Sequence, residues 1–216
     1  MGLFKHKKKE EKPQETETPG WTAISSAFEA IYPDQRNPRH YGTMISWRLG
    51  GNDPLDGISI YETKDYFHFV TFGLSELYEK ESENKDYSGY GFEFTLKLKR
   101  SSLSNEEDEI RCICGVLQAL ARMTFEKGEI FQPNEYIYTG QTTGIDATSS
   151  SKITGFITTL DEVGEIHTPN GLVQFVQLIG MQDQELKAII DKKINVQELL
   201  AMLPDTLTDY TRDSLL

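Results

Sequence analysis

Glycines and aspartates are concentrated in residues 50–57, which read GGNDPLDG. Glycine-rich loops can cradle phosphate groups, and a pair such as Asp53 and Asp56 could share a metal ion. The phosphate-binding pattern G-x-G-x-x-G and a Lys-Ser/Thr pair are absent, and a predicted strand rather than a helix follows. No histidine or further acid lies at a convincing ligand spacing. Since Gly, Asn, Asp and Pro favour tight turns, this composition predicts a structural turn.

A serine nucleophile is the next candidate, because residues 73–77 read GLSEL. This segment resembles the nucleophile elbow G-x-S-x-G but lacks its second glycine. Ser75 and Glu76 are instead predicted to cap a short helical turn after a strand. A hydrolase that uses Ser75, or the Asp53 and Asp56 pair, remains an alternative, although no orienting partner accompanies these residues.

The cysteines and histidines are spaced unfavourably for metal or redox chemistry. Cys112 and Cys114 fall within a predicted helix, where residues two apart point to different faces, and Cys114 belongs to the apolar stripe. The four histidines are scattered, and His68 falls inside an aromatic strand, which predicts a hydrogen-bonded core residue. The sequence therefore predicts no catalytic residue, no metal site and no cofactor, and it favours a protein that is not an enzyme.

Acidic residues dominate the charge of the 216-residue chain. Asp and Glu number 34 and Lys and Arg number 22, so the formal net charge is −12. Proteins that bind nucleic acid need clustered Lys and Arg, so this class is excluded and a basic partner is favoured. Only two cysteines occur and no apolar leader is visible, which predicts a location in the cytoplasm. No run of eighteen apolar residues indicates a membrane-spanning helix.

The first 19 residues, MGLFKHKKKEEKPQETETP, are charged, have no apolar period and are predicted to form a flexible tail. An alternative is weak contact with an anionic membrane, through the lysines and through Leu3 and Phe4 as an apolar foot. Residues 1–20 hold five lysines and four acids, a net charge of +1, so residues 21–216 carry −13.

Apolar periodicity predicts one domain over residues 20–216. Helices are predicted over residues 22–31, from 105 or 106 to 126, over 183–190 and over 196–203. Strands are predicted over residues 43–49, 58–61, 66–72, 90–99, 136–139, 153–160, 164–167 and 172–180. The turn sequence Pro169-Asn170-Gly171 predicts a hairpin between the last two strands. We therefore predict an α+β fold, a mostly antiparallel sheet packed with one long central helix and short terminal helices.

Several segments in a fixed order resemble the Suppressor of fused family. They span roughly residues 21–205 and read YPDQ and NP at 32–38, LGGNDPLD at 49–56, FGLSELY at 72–78, SGYGFEFT at 88–95, LKR at 98–100, TPNG at 168–171 and QLIG at 177–180. Each is weak alone, but together they are specific. The chain resembles only the N-terminal half of the two-domain eukaryotic members, which sequester Hedgehog-pathway transcription factors in the cytoplasm.

The resemblance implies a domain that binds proteins. In the two-domain members the partner peptide adds as a strand between the two halves, and Tyr78 matches a tyrosine of the peptide-contacting region. Stand-alone domains of this kind are similar to bacterial proteins inferred to be immunity proteins, which neutralise a cognate toxin. A bacterial immunity or antitoxin protein is therefore the leading hypothesis. A membrane-proximal signalling or stress adaptor is the alternative.

A polar loop over residues 79–89 separates two predicted strands, and its length indicates a functional or mobile segment. Tyrosines supply rigid amphipathic contact area, and carboxylates suit a basic toxin domain. We therefore predict a protein-binding surface on this loop and its flanks, formed by Tyr78, Glu79, Glu81, Glu83, Asp86, Tyr87 and Tyr90. The alternative for Tyr87 and Tyr90 is that they only cap the core where a strand begins.

Overall fold

The computed structural model describes residues 17–45 and 47–216. The predicted tail, with its alternative of membrane contact, lies outside the described residues up to position 16. The helices are α1 (Pro19–Ile31), α2 (Glu106–Lys127), α3 (Asp183–Ile190) and α4 (Val196–Met202). The strands are β1 (Arg39–Gly42), β2 (Gly57–Glu62), β3 (Tyr66–Phe72), β4 (Tyr87–Lys99), β5 (Tyr136–Tyr138), β6 (Ile153–Thr168) and β7 (Gly171–Gln182).

Within the described residues, the strands form one seven-stranded sheet in the order β1-β2-β3-β4-β7-β6-β5. Strands β4 and β7 run parallel, and every other neighbouring pair is antiparallel. This arrangement confirms the predicted α+β fold with a mostly antiparallel sheet. The hairpin between β6 and β7 is also as predicted, with Thr168 paired to Gly171.

Helices cover both faces of the sheet. Val176 of β7 packs in the same buried cluster as Leu117 of α2. Its neighbour Phe175 packs with Phe28 of α1, ring centroid to ring centroid at 5.0 Å. Because adjacent residues of a strand point to opposite faces, α2 and α1 lie on opposite sides of the sheet. The sheet, rather than the long helix, therefore occupies the centre of the molecule.

The long helix α2 begins and ends with recognisable signals. The Asn105 side chain accepts hydrogen bonds from the backbone N–H groups of Glu107 and Asp108 at 3.1 and 3.4 Å. Four acidic residues in the first turn complement the helix dipole, and Gly128 ends the helix with a φ of 72°. The predicted apolar stripe is buried against the sheet, with Ile110, Ile113, Leu117, Leu120 and Ala121 in one cluster.

The strand predicted over residues 43–49 is wrong. The residues that pair with β2 are those of β1, where Arg39 is opposite Ile60 and Gly42 is opposite Gly57. The segment that follows contains a 3-10 helix, Trp47–Leu49. Its alternating apolar pattern does not reflect burial, because Met44 is 100% exposed and Leu49 is 81% exposed.

Most other boundaries agree with the predictions within two residues, but three elements differ by more. Strand β4 begins three residues earlier than predicted, at Tyr87, and α1 begins at Pro19, a residue suited to the first turn of a helix. The two strands predicted over 153–160 and 164–167 are one strand, β6. Its register against β7 shifts between Leu160 and Glu165, where Gly164 adopts a φ of 75°. The glycine thus produces a bulge rather than a chain break.

Candidate functional site

A groove of about 550 Å³ opens beside the segment that joins β3 to β4. Its other sides come from residues 47–56 and from the last turn of α2. The apolar lining comes mainly from Trp47, Pro54, Leu74, Leu77, Tyr90 and Phe125, and the acidic lining from Asp56, Glu76, Glu79 and Glu81. Aromatic area next to carboxylates suits a segment that carries both apolar and basic side chains.

Three aromatic side chains, Trp47, Tyr90 and Phe125, form what we call the aromatic wall. The Phe125 ring lies 5.9 Å from the Trp47 ring and 5.2 Å from the Tyr90 ring, measured between centroids. Both distances are typical of packed aromatic pairs. Tyr90 and Phe125 are only partly buried and pack against the main core cluster. The wall is therefore held by the core on one side and lines the groove on the other.

The acidic loop, residues 76–87, is organised by the carboxylate of Glu76. This group accepts hydrogen bonds from Lys80 Nζ at 2.8 Å and from the backbone N–H groups of Glu81, Ser82 and Gly89 at 2.7, 2.5 and 3.0 Å. Burial disfavours the charged form, but these donors outweigh burial and lower the pKa of Glu76 to about 2. Glu76 therefore remains charged and closes the loop around itself.

A second carboxylate, that of Glu93 on β4, holds the residues that lead from the end of β3 into the acidic loop. It is fully buried and accepts hydrogen bonds from Thr71 Oγ1 and Ser75 Oγ, both at 2.6 Å, and from the backbone N–H groups of Gly73 and Ser75 at 3.0 and 2.9 Å. Burial nevertheless raises the pKa of Glu93 to about 7, against the effect of the hydrogen bonds.

Both ends of the acidic loop are anchored by distant parts of the chain. The backbone N–H groups of Gly20 and Trp21 in α1 donate to the Leu77 carbonyl at 3.0 and 3.2 Å. At the β6–β7 hairpin, Asn170 Nδ2 donates to the Glu76 carbonyl at 2.8 Å. The first residue after this turn is Gly171, where an added Cβ would lie 2.6 Å from the Tyr87 carbonyl carbon. The start of α1 and the tip of the β6–β7 hairpin therefore both hold the acidic loop in position.

The predicted binding residues are brought together on this loop and its flanks. Tyr78, Glu79, Glu81 and Tyr90 line the groove, while Glu83, Asp86 and Tyr87 are exposed on the loop beyond it. The exposed fractions of Tyr78 and Tyr87 are 42% and 46%, so these rings are accessible to a partner. Tyr90 packs against Phe125 and also fits the core-capping alternative. The role of all seven residues in binding stays a prediction.

The Ser75 alternative has no hydrogen bond to a histidine among the residues that the structure describes. The Ser75 hydroxyl donates to Glu93 rather than to a histidine. His68 is fully buried between Tyr32, whose hydroxyl lies 2.9 Å from Nδ1, and Asp161, whose carboxylate lies 3.1 Å from Nε2. This confirms that His68 is a hydrogen-bonded core residue. It lies on the α1 face of the sheet and has no hydrogen bond to Ser75.

Asp53 of the glycine-rich segment also has a structural role. Asp53 forms an ion pair with Arg122 of α2 at 2.9 Å, and the neighbouring Leu55 is fully buried, with its N–H donating to Gln118 Oε1 at 3.2 Å. The segment therefore fastens the residues before β2 onto α2. Among residues 17–45 and 47–216, no group of three His, Cys, Asp or Glu side chains could hold a metal ion. None of the helices described is both long and apolar enough to cross a bilayer.

The sequence does not predict that Trp47 and Phe125 line the groove. The sequence pattern places Trp47 in a strand and Phe125 in a helix, and neither position indicates a binding surface. These residues lie far from the acidic loop in sequence, and no local signal connects them to it. Only the packing of the end of α2 against residues 47–56 brings them to the groove.

Comparisons with known proteins agree with this fold. Residues 51–213 match the family model for Suppressor of fused protein. The human and mouse Suppressor of fused homologs are each 31% identical in an alignment of 201 residues, and the match covers 85% of this chain and 40% of the relative. The chain thus spans about two fifths of the length of these curated relatives.

Solved structures are similar over nearly the whole chain. The Sufu-Fu complex crystal structure superposes with a TM-score of 0.79 at 28% identity, over 92% of this chain and 93% of the matched chain. Drosophila Suppressor of Fused superposes with a TM-score of 0.78 at 28% identity, over 92% of this chain and 51% of the other. The chain belongs to the Suppressor of fused family.

Proposed function

We propose that this chain is a non-catalytic protein-binding domain whose contact surface is the groove together with the acidic loop. The observation that carries the proposal is the combination of accessible tyrosines, exposed carboxylates and the aromatic wall on one anchored surface. Interfaces are enriched in tyrosine and tryptophan because these side chains bury large areas at low entropic cost. Because the acidic loop is already held in place, little conformational entropy would be lost when a partner binds.

The family relationship supports the same proposal. A relative with a similar fold is found in the Sufu-Fu complex. The absence of a hydrogen-bonded histidine beside Ser75 among the described residues gives no support to the hydrolase alternative. The site therefore fits the binding of a protein better than it fits catalysis of a reaction.

The partner we propose is a basic protein, specifically a toxin domain that this chain neutralises in the cytoplasm. The support is electrostatic: residues 21–216 carry a net charge of −13, and four carboxylates lie on the acidic loop beyond Glu76. A field of this sign steers a cationic partner and favours the correct one over an acidic protein. The two free thiols, Cys112 and Cys114, are consistent with a reducing compartment.

The test replaces one aromatic and one acidic residue of the proposed surface, Tyr78→Ala with Asp86→Lys. We propose a basic protein encoded beside this chain in its host as the partner, and its affinity is measured by isothermal titration calorimetry. We expect the double variant to bind at least about tenfold more weakly, because truncating a tyrosine hot spot costs about 2 kcal/mol. The melting temperature should change little, since both side chains are exposed.

The matched control is Tyr136→Ala with Asp34→Lys. Tyr136 is 44% exposed, nearly the same as Tyr78, and Asp34 is also exposed, but neither lines the groove. This control carries the same change of charge and should keep the affinity of the native chain. Equal affinities for both double variants would remove the groove surface from consideration.

A further inference from the structure

The floor of the groove rests on a buried carboxylate. Gly73, Leu74 and Ser75 line the groove, and the backbone N–H groups of Gly73 and Ser75 donate to Glu93 Oε1 at 3.0 and 2.9 Å. The Ser75 hydroxyl donates to the same oxygen at 2.6 Å. Because the Glu93 side chain is fully buried, its carboxylate lies directly behind this short segment of chain.

The hydrogen-bond donors to Glu93 in the described part of the chain are all neutral. Besides the groups of the floor, the Thr71 hydroxyl donates to Oε2 at 2.6 Å. Neutral donors stabilise the charged form of a buried carboxylate, but complete burial opposes it. This balance raises the pKa of Glu93 to about 7, so both forms of the side chain are populated near neutral pH.

The two oxygens of Glu93 are used unequally, which allows a proton to bind without moving the floor. Oε1 accepts three hydrogen bonds, whereas Oε2 accepts one, from Thr71. A hydroxyl oxygen has two lone pairs, and Thr71 Oγ1 uses one of them to accept from the N–H of Phe94 at 2.8 Å. Oε2 can therefore carry a proton and donate it to Thr71 while the bonds to Oε1 are kept. Protonation then changes the charge beneath the groove and preserves its shape.

Other titratable groups on the surrounding elements respond in other pH ranges. Glu76 has a pKa of about 2 and stays charged near neutral pH. Burial lowers the pKa of His68 on β3, so this side chain releases its proton at a lower pH than Glu93 does. Strand β7 has no charged residue. The other charged groups around Glu93 are Glu29 of α1, Lys97 and Lys99 of β4, Asp161 of β6 and the side chains of the acidic loop.

We propose that Glu93 is a proton-dependent charge of the groove, so that a cationic partner binds more tightly once Glu93 has released its proton. A cation in the groove stabilises the charged carboxylate, and by thermodynamic linkage the charged carboxylate favours the cation equally. The affinity for a basic partner should therefore increase as the pH rises from about 6 to about 8. This inference rests on the proposed function, because it takes the groove as the surface that binds a basic protein.

The test uses the full chain and needs no partner. Glutamate side-chain carboxyl carbons are labelled with ¹³C and backbone amides with ¹⁵N, and NMR spectra are recorded from about pH 5 to about pH 8.5. We expect the Glu93 carboxyl signal to titrate with a midpoint at about pH 7, and the amide signals of Gly73 and Ser75 to follow the same midpoint. The amides of β5, at the edge of the sheet, should not follow it.

The carboxyl signal is assigned through its bonds to the Glu93 backbone, so the assignment needs no variant. In Glu93→Gln the amide signals of Gly73 and Ser75 should lose this titration. The matched control is Glu129→Gln, at an exposed position, which should keep it.

A cation introduced into the groove by substitution imitates the charge of a partner. Glu79 lines the groove and is exposed, so Glu79→Lys should lower the midpoint of Glu93 by about 0.5 pH unit through electrostatic attraction. Such a shift corresponds to an affinity for a cation at that place about threefold higher above the midpoint than below it. Asp34→Lys makes the same change of charge on another exposed surface and should leave the midpoint unchanged.

Three results would each overturn the proposal. They are a Glu93 carboxyl group that does not titrate in this range, amides of Gly73 and Ser75 that do not follow it, and equal midpoints in Glu79→Lys and Asp34→Lys. All are obtained without a partner, so calorimetry still decides the proposed function separately.

Discussion

At the scale of single residues, two glutamates show how the environment decides the role of a carboxylate. Glu76 is paired with a cation and three backbone N–H groups at the edge of the groove, and its pKa falls to about 2. Glu93 accepts as many hydrogen bonds, but all its donors are neutral and it is completely buried, so its pKa rises to about 7. The first remains a charge that shapes the loop, and the second becomes a pH-sensitive support beneath it.

The raised pKa of Glu93 predicts a specific dependence of stability on pH. Below about pH 4.5 the carboxyl group is protonated in both states; between there and about pH 7 only the unfolded state has released the proton. The free energy of unfolding should therefore fall as pH rises through this window, by on the order of 3 kcal/mol from this group. Glu93→Gln should remove that contribution, as measured by urea denaturation at several pH values.

The test compares how the free energy of unfolding changes with pH in the native chain and in the Glu93→Gln variant. His68 contributes with the opposite sign, because burial lowers its pKa, and its contribution is common to both proteins. Glu129→Gln, at an exposed position after α2, is the control and should leave the profile unchanged. If the free energy of unfolding changes with pH equally in Glu93→Gln and in the native chain, the raised pKa of Glu93 is contradicted.

At the scale of elements, α2 contributes both stability and part of the site. Its buried stripe packs on one face of the sheet, and its last turn presents Phe125 to the groove. Phe125 lies four residues after Ala121 of the buried stripe, and each residue advances the chain by 100° around the helix axis, so Phe125 projects from nearly the same side of the helix as the stripe. The packing of the stripe on the sheet therefore also places Phe125 in the aromatic wall.

Removing the cap should weaken the whole domain. Asn105 satisfies two backbone N–H groups that have no partner inside the helix, so Asn105→Ala should lower the free energy of unfolding by about 1 kcal/mol. Chemical denaturation measures this change. Asn105→Asp keeps an acceptor at the same position and should lose much less. Equal losses for the two variants would show that the cap does not stabilise α2.

At the scale of the whole molecule, the site is assembled by contacts between parts of the chain that lie far apart. The acidic loop is held by α1 on one side and by the tip of the β6–β7 hairpin on the other. The parallel pairing of β4 with β7 brings that tip against Tyr87 and Ser88. The position of the loop therefore depends on α1, on the hairpin tip and on the pairing of β4 with β7.

Gly171 is the closest point of this long-range contact. Its φ is 119° and an added Cβ would lie 2.6 Å from backbone atoms of Tyr87, so Gly171→Ala combines backbone strain with a clash. We expect a loss of more than about 2 kcal/mol in the free energy of unfolding. Gly164→Ala is the matched control, since its φ is 75° but nothing lies within 4 Å of the added Cβ.

Only strain should destabilise the Gly164→Ala variant, by about 1 kcal/mol. Both proteins can be compared by urea denaturation. A loss for Gly171→Ala no larger than for Gly164→Ala would mean that the hairpin tip yields to the added methyl group without disturbing β4.

Local patterns in the sequence were sufficient to identify most elements. The apolar stripe of α2, the aromatic strand β3 and the Pro-Asn-Gly hairpin depend on interactions between residues close in the chain, so their positions could be predicted within a few residues. The segment over residues 43–49 failed because its alternation of apolar side chains matched a strand. Their exposure could not be read from the pattern, because burial depends on what packs against them.

By itself, the sequence determined the family, the α+β class, the acidic charge and the loop that carries Tyr78 and its neighbouring acids. Only the tertiary structure decided that Trp47 and Phe125 join Tyr90 in one wall, and that the start of α1 contacts the same loop. The physical reason is that propensity, charge and turn chemistry are local, whereas a groove exists only where separate elements pack together.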